Sequence, residues 1–202
     1  NAMLAAKISF MNEVAHLCEA VGADVEDVRR GIGTDSRIGF PFIFPGLGFG
    51  GSCFPKDVRA LIKLGEMEGA PQAISKAVVE VNEDVRVRFV ERIISTYGDV
   101  KGLTFAIWGL AFKPKTDDMR EAPAVTIIER LAKAGAKLVA FDPVAMPVAK
   151  DILGSKVKLV DNLYDAVRGA DGLILVTEWN EFRRPDFAQV RSLMKRALVF
   201  DG

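Results

Sequence analysis

Histidine and cysteine are nearly missing from this chain: one His and two Cys, Cys18 and Cys53, stand among 202 residues. A lone imidazole and two distant thiols offer no ligand cluster, so no metal site is expected. Two cysteines are also too few for a disulfide framework, which points to a reducing compartment, the cytoplasm. No apolar run reaches the ~18 residues a membrane span needs, and no signal peptide is visible, so no membrane partner is expected. Excess charge of either sign is absent too. The 27 Lys and Arg balance 27 Asp and Glu, leaving no electrostatic reason to expect nucleic acid as a partner. No strand-to-helix turn carries the G-x-G-x-x-G fingerprint of dinucleotide binding: the turn after the first strand lacks its glycines, and no strand precedes Gly48–Gly51. What remains, 50% hydrophobic and 27% charged, suits one or two domains with proper cores.

Two textures divide the sequence. In the first, Leu4, Ile8, Met11, Ala15 and Cys18 recur at helical spacing, Gly22 closes that helix, and Asp24 caps a short one reaching Ile32. Between Gly33 and Phe54 lie five glycines, two prolines and four phenylalanines without a period. A loop of about 20 residues is uncommonly long, and such loops tend to be functional. Helices are expected over Pro55–Glu68 and Pro71–Thr96, the second with Ile74, Val78, Val81, Val85, Phe89 and Ile93 along one stripe. About 26 residues is too long for one small core, so this helix bridges domains or meets a second subunit. Packing within one chain fits the pattern nearly as well.

After Tyr97-Gly98-Asp99 the rhythm becomes strand, helix, strand. Leu103–Leu110 and Lys137–Phe141 read as strands, Ala122–Ala134 and Ala145–Leu153 as helices, and the alternation continues through Lys156–Val160, Leu163–Val167, Gly172–Thr177, Phe187–Met194 and Ala197–Phe200. The fold class expected is therefore α/β: a helical central domain over residues 1–98, then a Rossmann-like parallel α/β domain over 99–202. Ligands of such sheets bind beyond the carboxyl ends of the strands. There the first strand runs into Gly109–Glu121, whose Lys113 and Arg120 stand where cations meet phosphate oxygens, or simply line a solvated loop. Asp142, before Pro143, reads as a turn or cap residue. Glu178 ends a later strand as a cap or, alternatively, a ligand contact.

The segment Gly48-Phe49-Gly50-Gly51-Ser52-Cys53-Phe54-Pro55-Lys56-Asp57 carries the chemistry. Its glycines let the backbone approach a ligand, and Pro55 suits the first turn of a helix. Cys53 would then sit at a helix N-terminus, where partial positive charge favours a thiolate. Asp57 projects from the first turn toward the same region. A thiol, a carboxylate and a backbone-lined pocket are the parts of covalent catalysis at a carbonyl carbon. An inert core cysteine beside a tight connection is the plainer alternative.

Those ten residues resemble the active-site loop of the UDP-glucose 6-dehydrogenase family, and other stretches agree in order: Asn1–Ala5 with Ile8-Ser9 and Asn12-Glu13, Thr34–Gly39, Gly109–Lys113 through Asp118, Arg120 and Glu121, and Phe200-Asp201-Gly202. The resemblance implies an NAD-dependent enzyme that oxidises C6 of UDP-glucose twice to give UDP-glucuronate through a thioester. It implies Cys53 as nucleophile, Asp57 positioning water, and Asn1 stabilising oxyanion charge, provided Asn1-Ala2 is native sequence rather than a tag remnant. Phe42, Gly50, Phe112 and Lys113 would contact the sugar nucleotide and Arg120 the NAD. Arg37 would reach the substrate of a neighbouring subunit in a homodimer formed through the 71–96 helix. The family's catalytic lysine, its N-terminal NAD domain and an arginine beyond the final Asp-Gly are not in this sequence, and Phe44 stands where some members have lysine. The chain is therefore expected to be a piece of a longer enzyme, inactive alone, with NAD held mainly elsewhere. GDP-mannose dehydrogenase and UDP-N-acetylmannosamine dehydrogenase are the related alternatives, and a non-catalytic nucleotide-sugar-binding module is the alternative of another class.

Overall fold

The computed structural model describes all residues, 1–202. Helix α1, Ala2–Val21, stops where Gly22 turns left-handed (φ 71°) and its N–H bonds the Cys18 carbonyl. Asp24 caps α2, Val25–Gly33, its carboxylate accepting the Glu26 N–H at 2.8 Å. No helix or strand interrupts the chain from there to α3, Phe54–Met67, which carries Pro55 in its first turn. Helix α4, Ala73–Tyr97, runs for 25 residues. Ala5 of α1, Phe49 of the loop, Val58 of α3 and Val78 of α4 close a small core together. The long loop is thus tied down by an aromatic side chain in the core, which answers the burial its phenylalanines demand.

The second half is a five-stranded parallel sheet in the order β3-β2-β1-β4-β5. The strands are β1 Thr104–Trp108, β2 Lys137–Phe141, β3 Lys158–Leu159, β4 Gly172–Leu175 and β5 Val199–Asp201. Between them lie α5 Pro123–Lys133, α6 Met146–Leu153, α7 Leu163–Val167, α8 Asn180–Arg183 and α9 Phe187–Leu193. Strand β1 is central, and Phe105, Ala106, Ile107 and Trp108 are all fully buried. Burial of one such large side chain contributes about 1.5–3 kcal/mol. Ala106 and Trp108 face a cluster with Ala166 and Val167 of α7, Phe182 of α8 and Val190 of α9. Alternate residues face the other way: the Phe105 ring meets Tyr97, at the end of α4, edge to face at 5.2 Å. Helical segments therefore cover both faces, as strands apolar throughout require. The short α8 lies outside the expected alternation.

Two compact units result, Asn1–Arg86 and Val87–Gly202. The sequence places a boundary after residue 98, at the end of α4, whereas compactness divides inside that helix. Tyr97 belongs with the sheet: its hydroxyl donates to the Asp171 carbonyl. The apolar stripe of α4 is largely buried within the chain itself, at Val78, Phe89 and Ile93, while Ile74 is exposed. No helix is long and apolar enough to cross a membrane.

Candidate active site

Cys53 is the residue that caps α3, and its side chain is exposed, whereas Cys18 is buried. The Cys53 carbonyl accepts the Asp57 N–H at 2.9 Å, so Asp57 follows one turn later. Asn1, entering α1, donates its amide Nδ2 to Asp57 Oδ2 at 2.5 Å, and Lys56 Nζ lies 3.3 Å from Oδ1. The Asn1 hydrogen bond and, next, that from Lys56 hold the Asp57 carboxyl below the ordinary carboxylate range. Asn1 thus reaches Asp57 in the first turn of α3 by a side-chain hydrogen bond, and Cys53 is joined to Asp57 there by backbone. Sequence separation between Asn1 and Asp57 gave no hint of that pairing.

The loop leading to Cys53 is held from beneath by α4. Asn82 Oδ1 accepts the Phe49 N–H at 2.7 Å while its Nδ2 donates to the Phe49 carbonyl at 3.0 Å. Arg86, only 5% exposed, donates Nη2 to that carbonyl at 2.5 Å and Nε to the Leu47 carbonyl at 3.3 Å. Gly48, at φ 83°, lies so close above Asn82 that a Cβ would overlap the Asn82 amide oxygen. From α1, Asn12 Oδ1 accepts the Gly46 N–H at 2.8 Å. Phe54, next to Cys53, packs against Phe49 at 5.9 Å and Phe42 at 6.0 Å between ring centroids. Phe42 has φ 64°, a conformation that costs a bulky residue about 1–3 kcal/mol and that clusters at functional sites. Gly50, half-buried, follows Phe49 directly.

Arg37 is exposed on the same long loop and forks onto Asp35, with Nε at 2.9 Å from Oδ1 and Nη2 at 2.5 Å from Oδ2. Its guanidinium holds the Asp35 carboxyl low. Where some members of the resembling family carry a lysine, Phe44 lies under a cation from α2: the Arg29 guanidinium carbon is 4.1 Å from the ring centroid. Asn82, Arg86 and Arg29 escaped the sequence reading. The one available signal was the i, i+4 spacing of Asn82 and Arg86 on an otherwise apolar-striped helix.

The strand order reverses between β1 and β4, the place where open parallel sheets bind ligands. The loops after these strands cross there. Gly109, at φ 93°, leaves no room for a side chain beside Thr177, whose hydroxyl donates to the Ala111 carbonyl at 2.7 Å. Phe112, Lys113 and Arg120 all lie on the first loop. Lys113 is exposed, its Nζ 5.3 Å from the Phe112 ring centroid. Arg120 forks onto Asp118 at 2.9 and 2.7 Å and holds that carboxyl low. Asp142 is a turn residue: its Oδ1 accepts the Val144 and Ala145 N–H groups, and Ala145, without a side-chain cap, precedes α6. Glu178 does not cap a helix: Trp179 precedes α8, and Glu178 lies 3.9 Å from Arg183. The turn after β1 lacks the three glycines of the dinucleotide fingerprint.

A helical unit with a capped cysteine loop, joined to a Rossmann-like unit, defines a two-part α/β chain whose candidate chemistry lies in the first part and whose candidate ligand crevice lies in the second. Residues 1–84 match the central-domain model of the UDP-glucose/GDP-mannose dehydrogenase family, and residues 106–202 match its UDP binding domain. The chain belongs to the UDP-glucose/GDP-mannose dehydrogenase family. It is 49% identical over 212 residues to a UDP-glucose 6-dehydrogenase of Pseudomonas aeruginosa, covering 100% of this chain and 46% of that one. Against a UDP-glucose 6-dehydrogenase of Bacillus subtilis it is 46% identical over 202 residues, covering 100% of this chain and 44% of the relative. The solved UDP-glucose dehydrogenase of Pyrobaculum islandicum superposes with a TM-score of 0.90 at 38% identity, over 98% of this chain and 48% of that one. The chain thus spans about half the length of the relatives it matches.

Proposed function

We propose that this chain serves a UDP-glucose 6-dehydrogenase that oxidises the C6 alcohol of UDP-glucose to the carboxylate of UDP-glucuronate. The observation that carries the reading is the Asn1–Asp57 hydrogen bond in the turn that Cys53 caps. Cys53 Sγ bonds C6 and holds it as a thiohemiacetal at the aldehyde level and a thioester at the acid level, and water then cleaves the thioester. Asp57, kept ionised by Asn1 and Lys56, orients that water. The Asn1 amide, fixed before the reaction begins, steadies oxyanion charge. Phe42 and Gly50 line the sugar nucleotide on the helical unit, and Phe112 and Lys113 contact it on the sheet unit. Arg37 reaches substrate in a partner subunit, and the partner is a second copy docked through the 71–96 helix. NAD is the hydride acceptor this reading implies, and Arg120 is the residue assigned to touch it. Residues 1–98 act as the central domain and 99–202 as the nucleotide-sugar domain.

The test pairs calorimetry with alkylation. UDP-glucose and UDP-glucuronate should bind this chain in preference to GDP-mannose, and saturating UDP-glucose should slow iodoacetamide labelling of Cys53 about tenfold or more while leaving Cys18 unchanged. Preference for GDP-mannose moves the assignment to the sister activity. Binding of UDP-glucose without protection of Cys53 removes the thiol from the site.

A further inference from the structure

Four consecutive amides at the β1 turn are all engaged inside the protein. Gly109 donates to the Phe141 carbonyl at 2.9 Å, Leu110 and Ala111 to Asp142 Oδ2 at 2.7 and 3.3 Å, and Phe112 to the Asp118 carbonyl at 3.1 Å. In a phosphate-binding turn these are the donors that meet the anion. Here an anion is already present, and it is the protein's own. Asp142 is 1% exposed, and its second oxygen Oδ1 takes the Val144 and Ala145 N–H groups at 2.9 and 2.8 Å. The Trp179 indole, on the loop after β4, stands 3.4 Å from Oδ2. A buried carboxylate is tolerated when its lone pairs are met, and five N–H groups point at this one. Dinucleotide-binding sheets use an acid at the end of β2 to reach a ribose hydroxyl. This acid has turned inward onto the turn instead.

We propose that Asp142 is an internal substitute for a bound phosphate: it locks the β1 turn, closes the turn's amides to ligand, and leaves the Lys113 side chain as the anion contact for a nucleoside diphosphate. The proposal rests on the reading that this crevice takes a UDP-sugar. A phosphate brought to the Leu110 and Ala111 amides would have to displace Asp142 against like-charge repulsion. Lys113, exposed two residues beyond, meets no such barrier. Asp142 is on this account a positioning residue, acting through the loop that carries Phe112 and Lys113.

Amide hydrogen exchange decides it, with uridine diphosphate as the ligand and calorimetry to establish occupancy. In the unaltered chain the Leu110 and Ala111 amides should be protected before ligand is added, and saturating UDP should leave them unchanged. Slowing of those two amides by UDP would place phosphate on the turn and overturn the proposal. Asp142→Asn should speed both amides at least about tenfold and weaken UDP binding about fivefold or more, the loss expected when several charge-assisted bonds to one loop go. Unchanged exchange in that variant overturns the lock on the turn, and UDP binding that is undiminished or tighter overturns the positioning role. Lys113→Met should weaken UDP binding about tenfold while leaving both amides protected, and undiminished affinity removes Lys113 as the contact. If the unaltered chain does not bind UDP, the nucleotide reading fails, while exchange in Asp142→Asn still judges Asp142. The arm on the unaltered chain needs no variant, so a substituted protein that fails to fold does not shield the idea.

Discussion

Asp57 shows what one side chain can learn from a neighbour 56 positions away. Its depressed pKa means that its ionised form favours the folded state, and the sign of the linkage follows. The contribution is complete above the unfolded value of about 3.9 and is lost as acidification passes the lower folded value. Asn1→Ala removes the largest cause and leaves Lys56, so the Asp57 titration should move up toward the ordinary carboxylate value. Carbon-13 NMR of the Asp57 carboxyl reads this directly, and an unmoved midpoint would show that Asn1 does not set the charge state. Placement at this scale was partly legible beforehand. The positions of Cys53 before α3 and of Asp57 in its first turn could be read from Pro55 and the helix it opens. Asn1 came only from resemblance, because nothing local marks a residue whose partner lies across the fold. Asp142 was legible as a turn residue, through Val144 and Ala145, but not as the anchor of a turn more than thirty residues earlier.

Between elements, the long loop and α4 behave as one fitted pair. Asn82 meets both polar groups of Phe49, and Gly48 is glycine because the backbone above Asn82 needs φ 83° and no side chain. Asn82→Ala should cost about 2 kcal/mol, since it strands the buried Phe49 N–H. Gly48→Ala should cost at least as much, from the positive φ and the overlap combined. The overlap with the amide goes once Asn82 is alanine, while the 3.2 Å approach to its backbone carbonyl and the positive φ remain, so the double variant should be more stable than additivity predicts, by about 1 kcal/mol. Urea unfolding of the four proteins closes the cycle, and simple additivity would mean that Asn82 and Gly48 are not fitted to one another. Strands and helices were readable from pattern because burial imposes it: β1 is apolar and buried from Phe105 to Trp108, and α3 and α5 each carry one apolar face. The clamp was not. Asn82 and Arg86 look like ordinary surface residues of α4 until a loop with unmet carbonyls is laid over them.

For the whole molecule, α4 links two compact units, and this changes what a dimer through it must be made of. The stripe that suggested a partner subunit is occupied: Val78 lies in the core of the helical unit, and Phe89 and Ile93 are buried as well. The exposed positions of the helix include one large apolar side chain, Ile74, which is 77% exposed, and charged residues such as Glu80, Glu83 and Glu91. An interface of apolar side chains tightens as salt rises, whereas one held by charges weakens once the Debye length falls to about 3 Å at 1 M. The proposed homodimer should therefore be seen by sedimentation velocity at low salt and should dissociate toward monomer in 1 M sodium chloride, with Ile74→Asp lowering the dimer fraction further at every salt concentration. A monomer under all conditions would remove the partner subunit and with it the role given to Arg37. A dimer indifferent to salt and to Ile74 would keep the partner but move its interface off α4, onto another apolar surface such as the Met3, Phe10 and Leu17 face of α1, where all three side chains are more than half exposed.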